Sequence, residues 1–138
     1  GSQKIIGVID RWLADRPETF TGYRNLPRRV FVNLMRRAAV MVGNSSAGIV
    51  EAPTFGLPVV NIGPRQRGRE HSENVAFVDH DASQIREAIR RAIEDADYRA
   101  RVKVGGNPYG DGTAGRRIAS ILGAVTIDER LLGKVNTF

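Results

Sequence analysis

The chain has 138 residues, 41% hydrophobic and 26% charged, with a formal net charge of +6 at pH 7, no cysteine and two histidines. That size predicts one domain with a real core. The lack of cysteine excludes disulfides and thiolate metal sites, two scattered histidines weigh against zinc, and no apolar run reaches the length of a membrane span, so a soluble protein of the reducing cytoplasm is the expectation.

The positive excess is almost wholly arginine, Lys4, Lys103 and Lys134 being the only lysines. The basic residues are spread along helices and mixed with acids such as Glu87, Glu94, Asp95 and Asp97. A solvated basic surface is therefore expected rather than a nucleic-acid patch, and no aromatic residues interleave with the arginines as stacking platforms would require. No secretory leader pattern is visible, and Gly1-Ser2 is left out of the fold expectation.

In chain order, Lys4–Ala14 carries Ile5, Ile6, Val8, Ile9, Trp12 and Leu13 at helical spacing and predicts an amphipathic helix that ends before Pro17. Thr19–Tyr23 is a short β-prone run, followed by a loop through Leu26 and a helix start at Pro27. Phe31, Leu34, Met35 and Ala38 then fall at i, i+3, i+4 and i+7, which predicts a core face on that helix. Ala39–Val42 reads as a strand, and Gly43-Asn44-Ser45-Ser46 as the polar loop that carries it into a helix near Gly48. Pro53 and Gly56 keep that helix short or kinked, Gly56 being a natural terminator.

Leu57–Ile62 predicts a buried strand bounded by Gly63-Pro64, and Arg65–His71 a basic loop. Asn74–Val78 is a further strand candidate. Asp81 with Gln84 has capping-box spacing and opens a helix whose apolar positions are Ile85, Ala88, Ile89, Ala92 and Ile93. A short helix is expected near Tyr98–Val104, then the glycine-rich loop Gly105–Gly112, then a helix from near Thr113 with Ile118, Ile121 and Leu122 as its buried stripe. Beyond Val125 the periodicity weakens into a tail.

Strands alternating with helices at short spacing predict an α/β, Rossmann-like parallel sheet flanked by helices, whose ligands bind at the carboxyl ends of the strands. The Asn44-Ser45-Ser46 loop and the arginine loop both follow strands and are expected to face one crevice. Hydroxyls and a helix N-terminus on one wall and guanidinium groups on the other suit a diphosphate, and Glu51, about one turn into the helix, suits sugar hydroxyls. Arg65 is nearest to the strand end. Spacing alone leaves the alternatives open: Ser and Asn also cap helices, and Arg67 and Arg69 could equally pair with Glu70 or Glu73.

Gly43–Gly48 with Glu51-Ala52-Pro53, then Phe55–Gly63 and Arg65-Gln66-x-Gly68-Arg69, resemble the UDP-N-acetylglucosamine 2-epimerases of the hydrolysing type. Asn107-Pro108-Tyr109-Gly110-Asp111-Gly112 matches a further segment of that family, and the resemblance runs from near Ser2 to about Leu122. Non-hydrolysing relatives usually carry Asp-Ser-Gly-Gly followed by Gln-Glu-Glu, and later Arg-x-x-Thr-Glu-Arg-Pro-Glu. This sequence departs from both.

The resemblance implies one half of a GT-B-type fold, the C-terminal UDP-binding domain over residues 1–125, with its first strand preceding residue 1 and a tail over 126–138. It implies that Phe31 stacks on or flanks the uracil and that the Leu26 backbone bonds its edge. Ser45, Ser46 and the Gly48 N–H would hold phosphates, Glu51 the ribose and Arg65 the diphosphate; Phe31 also lies on an apolar helix face, so a core role stays open for it. The family reaction eliminates UDP across C1–C2 of the sugar and then adds water to give N-acetylmannosamine. Its acidic catalytic residues lie in the N-terminal domain and its histidine on a strand before residue 1, which neither His71 nor His80 matches. No catalytic residue, cofactor or metal is therefore assigned. The expected partners are UDP or UDP-N-acetylglucosamine, the N-terminal domain of the same enzyme, and a second copy in a homo-oligomer, with no nucleic acid or membrane. The chain alone is expected to bind UDP weakly and turn over nothing. A UDP-sugar glycosyltransferase of the GT-B class and a stand-alone nucleotide-binding module are the alternatives.

Overall fold

The computed structural model describes residues 2–133. The expectations for Gly1 and for the last part of the 126–138 tail lie outside the described residues. The chain divides into two compact units, residues 1–37 and 38–138.

In the first unit, α1 spans Ser2–Asp15, as its amphipathic pattern predicts, but no residue of it is buried and Ile5, Ile6, Val8, Ile9 and Trp12 are all exposed. The segment after it doubles back. Thr19 N and Phe20 N both donate to Arg16 O at 3.1 and 3.0 Å, the Phe20 ring lies 5.3 Å from Trp12, and the Arg16 guanidinium sits over the Trp12 ring at 5.7 Å. The β-prone run Thr19–Tyr23 is thus not a strand. Its first amides are spent on a turn and no described strand pairs with it to accept the others, so β propensity has nothing to act on. Next, α2 (Arg28–Arg37) starts behind Pro27, whose carbonyl accepts from Val30 N and Phe31 N. Its inward face is narrower than expected: Met35 is buried, Phe31 and Val32 are half-buried, and Leu34 and Ala38 are exposed.

The second unit holds a sheet of β1 (Met41–Gly43), β2 (Val59–Ile62) and β3 (Val75–Val78), in the order β1-β2-β3 and parallel throughout. Met41 pairs with Val59 and Val59 with Val75, so three strand starts line up and three carboxyl ends share one edge. This is the α/β, Rossmann-like arrangement expected. The middle strand is the most buried: Val59, Val60 and Asn61, with Leu57 just before it, are all nearly inaccessible, in keeping with a largely apolar run covered on both faces. Between β1 and β2 come the single-turn helix α3 (Ala47–Val50) and a 3₁₀ turn, Ala52–Phe55, which Pro53 opens and Gly56 closes in the left-handed region at φ 57°.

After β3, α4 (Ala82–Glu94) packs on β2 and β3. The Asp81 side chain accepts from Gln84 N at 2.8 Å, while the Gln84 side chain reaches back to Asp79 N at 3.2 Å, so the capping box closes two residues further out than its simplest form. Ile85, Ala88, Ile89 and Ala92 face inward, but Ile93 is exposed. Then α5 (Ala96–Val104) begins at its own cap, Asp95, which accepts from Tyr98 N. Ala92, Tyr98 and Val102 form a core cluster with Val40 against it. Two further helices, α6 (Ala114–Ala124) and α7 (Glu129–Leu132), follow.

The expected stripe of α6 is present but not buried: Ile118, Ile121 and Leu122 are 56%, 65% and 68% exposed. Periodicity reports that a helix has an apolar face, not that a neighbour covers it. No helix among the described residues is long and apolar enough to cross a membrane.

Candidate functional site

Because β1 and β2 are parallel neighbours in register, with Gly43 opposite Asn61, the chain leaves both strands at the same edge. The polar loop Asn44-Ser45-Ser46 follows β1, and the 3₁₀ turn Pro64–Gln66 opens the arginine segment after β2. One side chain ties the two together. Gln66, 3% exposed, donates from Nε2 to Asn44 O at 3.0 Å and accepts from Arg69 at Oε1, also at 3.0 Å. The two segments expected to converge are therefore joined by a hydrogen bond at that edge.

The arginines differ in what they are committed to. Arg67 pairs with Asp79 at 2.7 Å and Arg69 bonds Gln66; neither pairs with Glu70 or Glu73, the carboxylates that sequence proximity suggested. Glu73 instead lies 3.8 Å from Arg101. Arg65 is exposed, and its side chain has no ion pair or hydrogen bond with any described residue. Its position is set by Gly63, whose N–H donates to Val78 O at 2.8 Å and whose φ of 78° turns the chain sharply off the strand. A Cβ at Gly63 would lie 2.5 Å from His80 Cε1, so the His80 ring fills the space beside that turn. His80 thus braces the arginine turn from the end of β3.

The serine loop departs from a simple capped helix. Ser45 Oγ accepts from Ala47 N at 3.3 Å, whereas the Ser46 side chain makes no cap hydrogen bond. Gly48 N donates to Ser45 O at 3.2 Å, and Ile49 N and Val50 N both donate to Ser46 O. The expected row of unpaired amides at a helix start is hence absent from Ala47 to Val50, including the Gly48 N–H. A four-residue helix also carries little macrodipole, which leaves the two hydroxyls and Arg65 as the candidate groups for an anion. Glu51 ends α3 rather than lying inside a longer helix; it is half-buried, with its N–H held by Ala47 O at 3.0 Å.

Leu26 and Phe31 belong to the first unit, where they line an open cleft of about 500 Å³ with Tyr23, Arg24, Asn25 and Arg28. Phe31 is half-buried and presents part of its ring surface there.

The sequence model of UDP-N-acetylglucosamine 2-epimerase matches residues 2–123. The chain belongs to that family. It is 35% identical over 138 residues to a hydrolyzing UDP-N,N'-diacetylbacillosamine 2-epimerase of Legionella pneumophila, covering all of this chain and 35% of that protein. It is 31% identical over 100 residues to a UDP-N-acetylglucosamine 2-epimerase of Neisseria meningitidis, covering 72% of this chain and 26% of that protein. A GDP/UDP-N,N'-diacetylbacillosamine 2-epimerase of Campylobacter jejuni is 35% identical over 77 residues, 56% of this chain and 19% of that protein. The chain spans about a third or less of the length of these relatives.

Four residues of this chain that shape the candidate site escape a reading of spacing. Gln66 hides inside a basic run that reads as solvated loop. Asn74, fully buried, donates from Nδ2 to Gly48 O at 3.2 Å and Leu57 O at 3.1 Å, fastening α3 to the approach of β2. Asn107 Nδ2 donates to Val50 O at 2.9 Å and Thr54 Oγ1 at 2.8 Å, and Tyr109 OH donates to Glu70 O at 2.9 Å. Asn107 and Tyr109 stood out only as part of the segment Asn107–Gly112 that resembles the family, with no role attached to either.

Proposed function

We propose that this chain is the UDP-binding half of a hydrolysing UDP-N-acetylglucosamine 2-epimerase, which converts UDP-N-acetylglucosamine and water to N-acetylmannosamine and UDP. The observation that carries this is the Gln66 to Asn44 hydrogen bond, which locks the serine loop and the arginine turn into one edge while leaving Arg65 uncommitted. The Ser45 and Ser46 hydroxyls donate to phosphate oxygens, and Arg65 offers a guanidinium fork to the diphosphate. Glu51 accepts from the ribose hydroxyls. Leu26 and Phe31, in their cleft in residues 1–37, carry the base-binding half of the proposal.

The reaction breaks the C1–O bond, so negative charge grows on the β-phosphate as UDP departs. A fixed cation at that phosphate lowers the barrier because it interacts more strongly with the leaving group than with the bound substrate. Proton removal at C2 is assigned to the part of the enzyme that this chain does not span, and the chain alone turns over nothing. Two of the relatives are named for UDP-N,N'-diacetylbacillosamine, which makes that sugar nucleotide the second substrate reading.

Titration of the 138-residue chain with UDP and with uridine tests the binding claim. Joint Ser45→Ala and Arg65→Ala substitution is expected to weaken UDP by at least about tenfold, the value of one or two charge-assisted bonds, and uridine hardly at all. Equal losses for the two ligands would put the phosphate site elsewhere. Release of N-acetylmannosamine by the isolated chain, abolished by Glu51→Ala, would overturn the division of labour.

A further inference from the structure

The glycine-rich segment 105–112 contributes no residue to the core, yet its two large polar side chains reach the connection after the serine loop and the segment after the arginine turn. Asn107 uses its whole amide. Both Nδ2 hydrogens are taken, by Val50 O and Thr54 Oγ1, and Oδ1 accepts from Tyr109 N at 2.9 Å. Val50 ends α3 and immediately precedes Glu51. Tyr109 then delivers its hydroxyl to Glu70 O, next to Arg69, which bonds Gln66, which bonds Asn44. The contacts close a ring of linked segments: serine loop, Gln66, Arg69 and Glu70, Tyr109, Asn107, Val50, and back through α3 to the serine loop. Positive φ at Gly106 and Gly110, 67° and 119°, gives the segment the bends that bring Asn107 and Tyr109 to their two targets.

We propose that segment 105–112 is a strap that holds the phosphate-facing and ribose-facing loops at a fixed separation, with Asn107 and Tyr109 as positioning residues for the bound nucleotide. The proposal rests on the UDP-binding reading and deepens it: neither residue touches ligand, and each acts through a loop that does. Tyr109 is 43% exposed and its bond to Glu70 is at the surface, so its hydroxyl contributes little to global stability. The hydrogen bonds of the two side chains end on the strap itself, on Val50 and Thr54 in the connection that follows the serine loop, and on Glu70 in the segment that follows the arginine turn. A part that adds nothing to the core and bridges two walls of a site has positioning as its consequence.

The test uses the full 138-residue chain, Tyr109→Phe, Asn107→Ala and, as a control, Arg65→Ala. Amide hydrogen exchange reads the loops without ligand, and titration with UDP and uridine reads the site. Tyr109→Phe is expected to speed exchange of the Arg67 and Arg69 amides and to weaken UDP by about two- to tenfold, the range of one hydrogen bond, while uridine affinity and the urea midpoint stay in place. Asn107→Ala is expected to speed exchange at Val50 and Glu51 and to lower the same UDP-to-uridine ratio. A purely structural role would reduce both ligands alike. If the parent chain binds UDP and Arg65→Ala weakens it, but Tyr109→Phe leaves both exchange and the ratio unchanged, the strap is overturned and the nucleotide site stands. If the parent chain binds no UDP, the nucleotide reading fails and takes the strap's role with it.

Discussion

Replacing Asn74 with alanine strikes the joint between α3 and the approach to β2. The side chain is fully buried, and its Nδ2 donates to two carbonyls, Gly48 O and Leu57 O. Removing these donors costs about 1 to 1.5 kcal/mol for each bond, and the truncation adds a small void worth up to about 1 kcal/mol. An opposing term comes from Oδ1, which is buried and has no hydrogen-bond partner among the described residues. Deleting that atom returns part of a desolvation penalty of about 1 kcal/mol or more. The balance is a destabilisation of about 2 kcal/mol. Asn74→Asp is expected to cost more at neutral pH, because it keeps the unpaired oxygen, loses both donors and adds a buried charge facing two carbonyls. Urea unfolding followed by far-UV circular dichroism measures both. A loss below about 0.5 kcal/mol for Asn74→Ala, or an aspartate milder than alanine, would refute this account of the joint.

Gly48→Ala puts a Cβ 2.8 Å from Val59 Cγ1 in the core and is expected to cost about 1 to 3 kcal/mol by overpacking; adding Val59→Ala should recover part of that cost in a double-mutant cycle, and strict additivity would exclude the clash. Tyr98→Phe removes the hydroxyl that donates to Asn74 O at 3.1 Å, but that carbonyl keeps Val59 N at 2.7 Å and the ring keeps Arg91 at 4.6 Å. A loss near 1 kcal/mol is therefore expected in urea unfolding, and one above about 2 would show that the hydroxyl does more than this single bond. The Asp95 carboxyl is held below its ordinary range, first by the Tyr98 backbone N–H that it caps. Its contribution is thus fully present above the unfolded aspartate value, near pH 4, and is lost as pH falls through the lower folded value. The gap in urea midpoint between the parent chain and Asp95→Ala should be steady from about pH 7 to 5 and should close below about pH 4; a gap that widens in acid would contradict the sign.

Much of the fold was legible because its signals are local. Asp81 starts a helix with a side-chain cap, Gly56 ends a 3₁₀ turn in the left-handed region, and the largely apolar run 57–62 became the central strand. Local signals failed where a neighbour decides the outcome. Thr19–Tyr23 has strand propensity without a strand beside it, and α6 has an apolar face that no described residue buries. Arginine pairing shows the same limit, since Arg67 chose Asp79, twelve residues away, over the nearer Glu70 and Glu73.

The sequence by itself determined the family, the parallel α/β pattern and the two polar segments that follow strands, since each is written in short motifs or in the period of apolar residues. Only the tertiary structure decided how those segments meet. Gln66 spans 22 residues to reach Asn44, Tyr109 spans 39 to reach Glu70, and Asn107 spans 57 to reach Val50. Such bonds depend on strand register and loop geometry at distant points of the chain, and no spacing rule within a window of a few residues contains that information. The same physics engaged the amides from Ala47 to Val50 within the turn, where a helix N-terminus would have offered them free, while the Arg65 side chain makes no hydrogen bond or ion pair with a described residue.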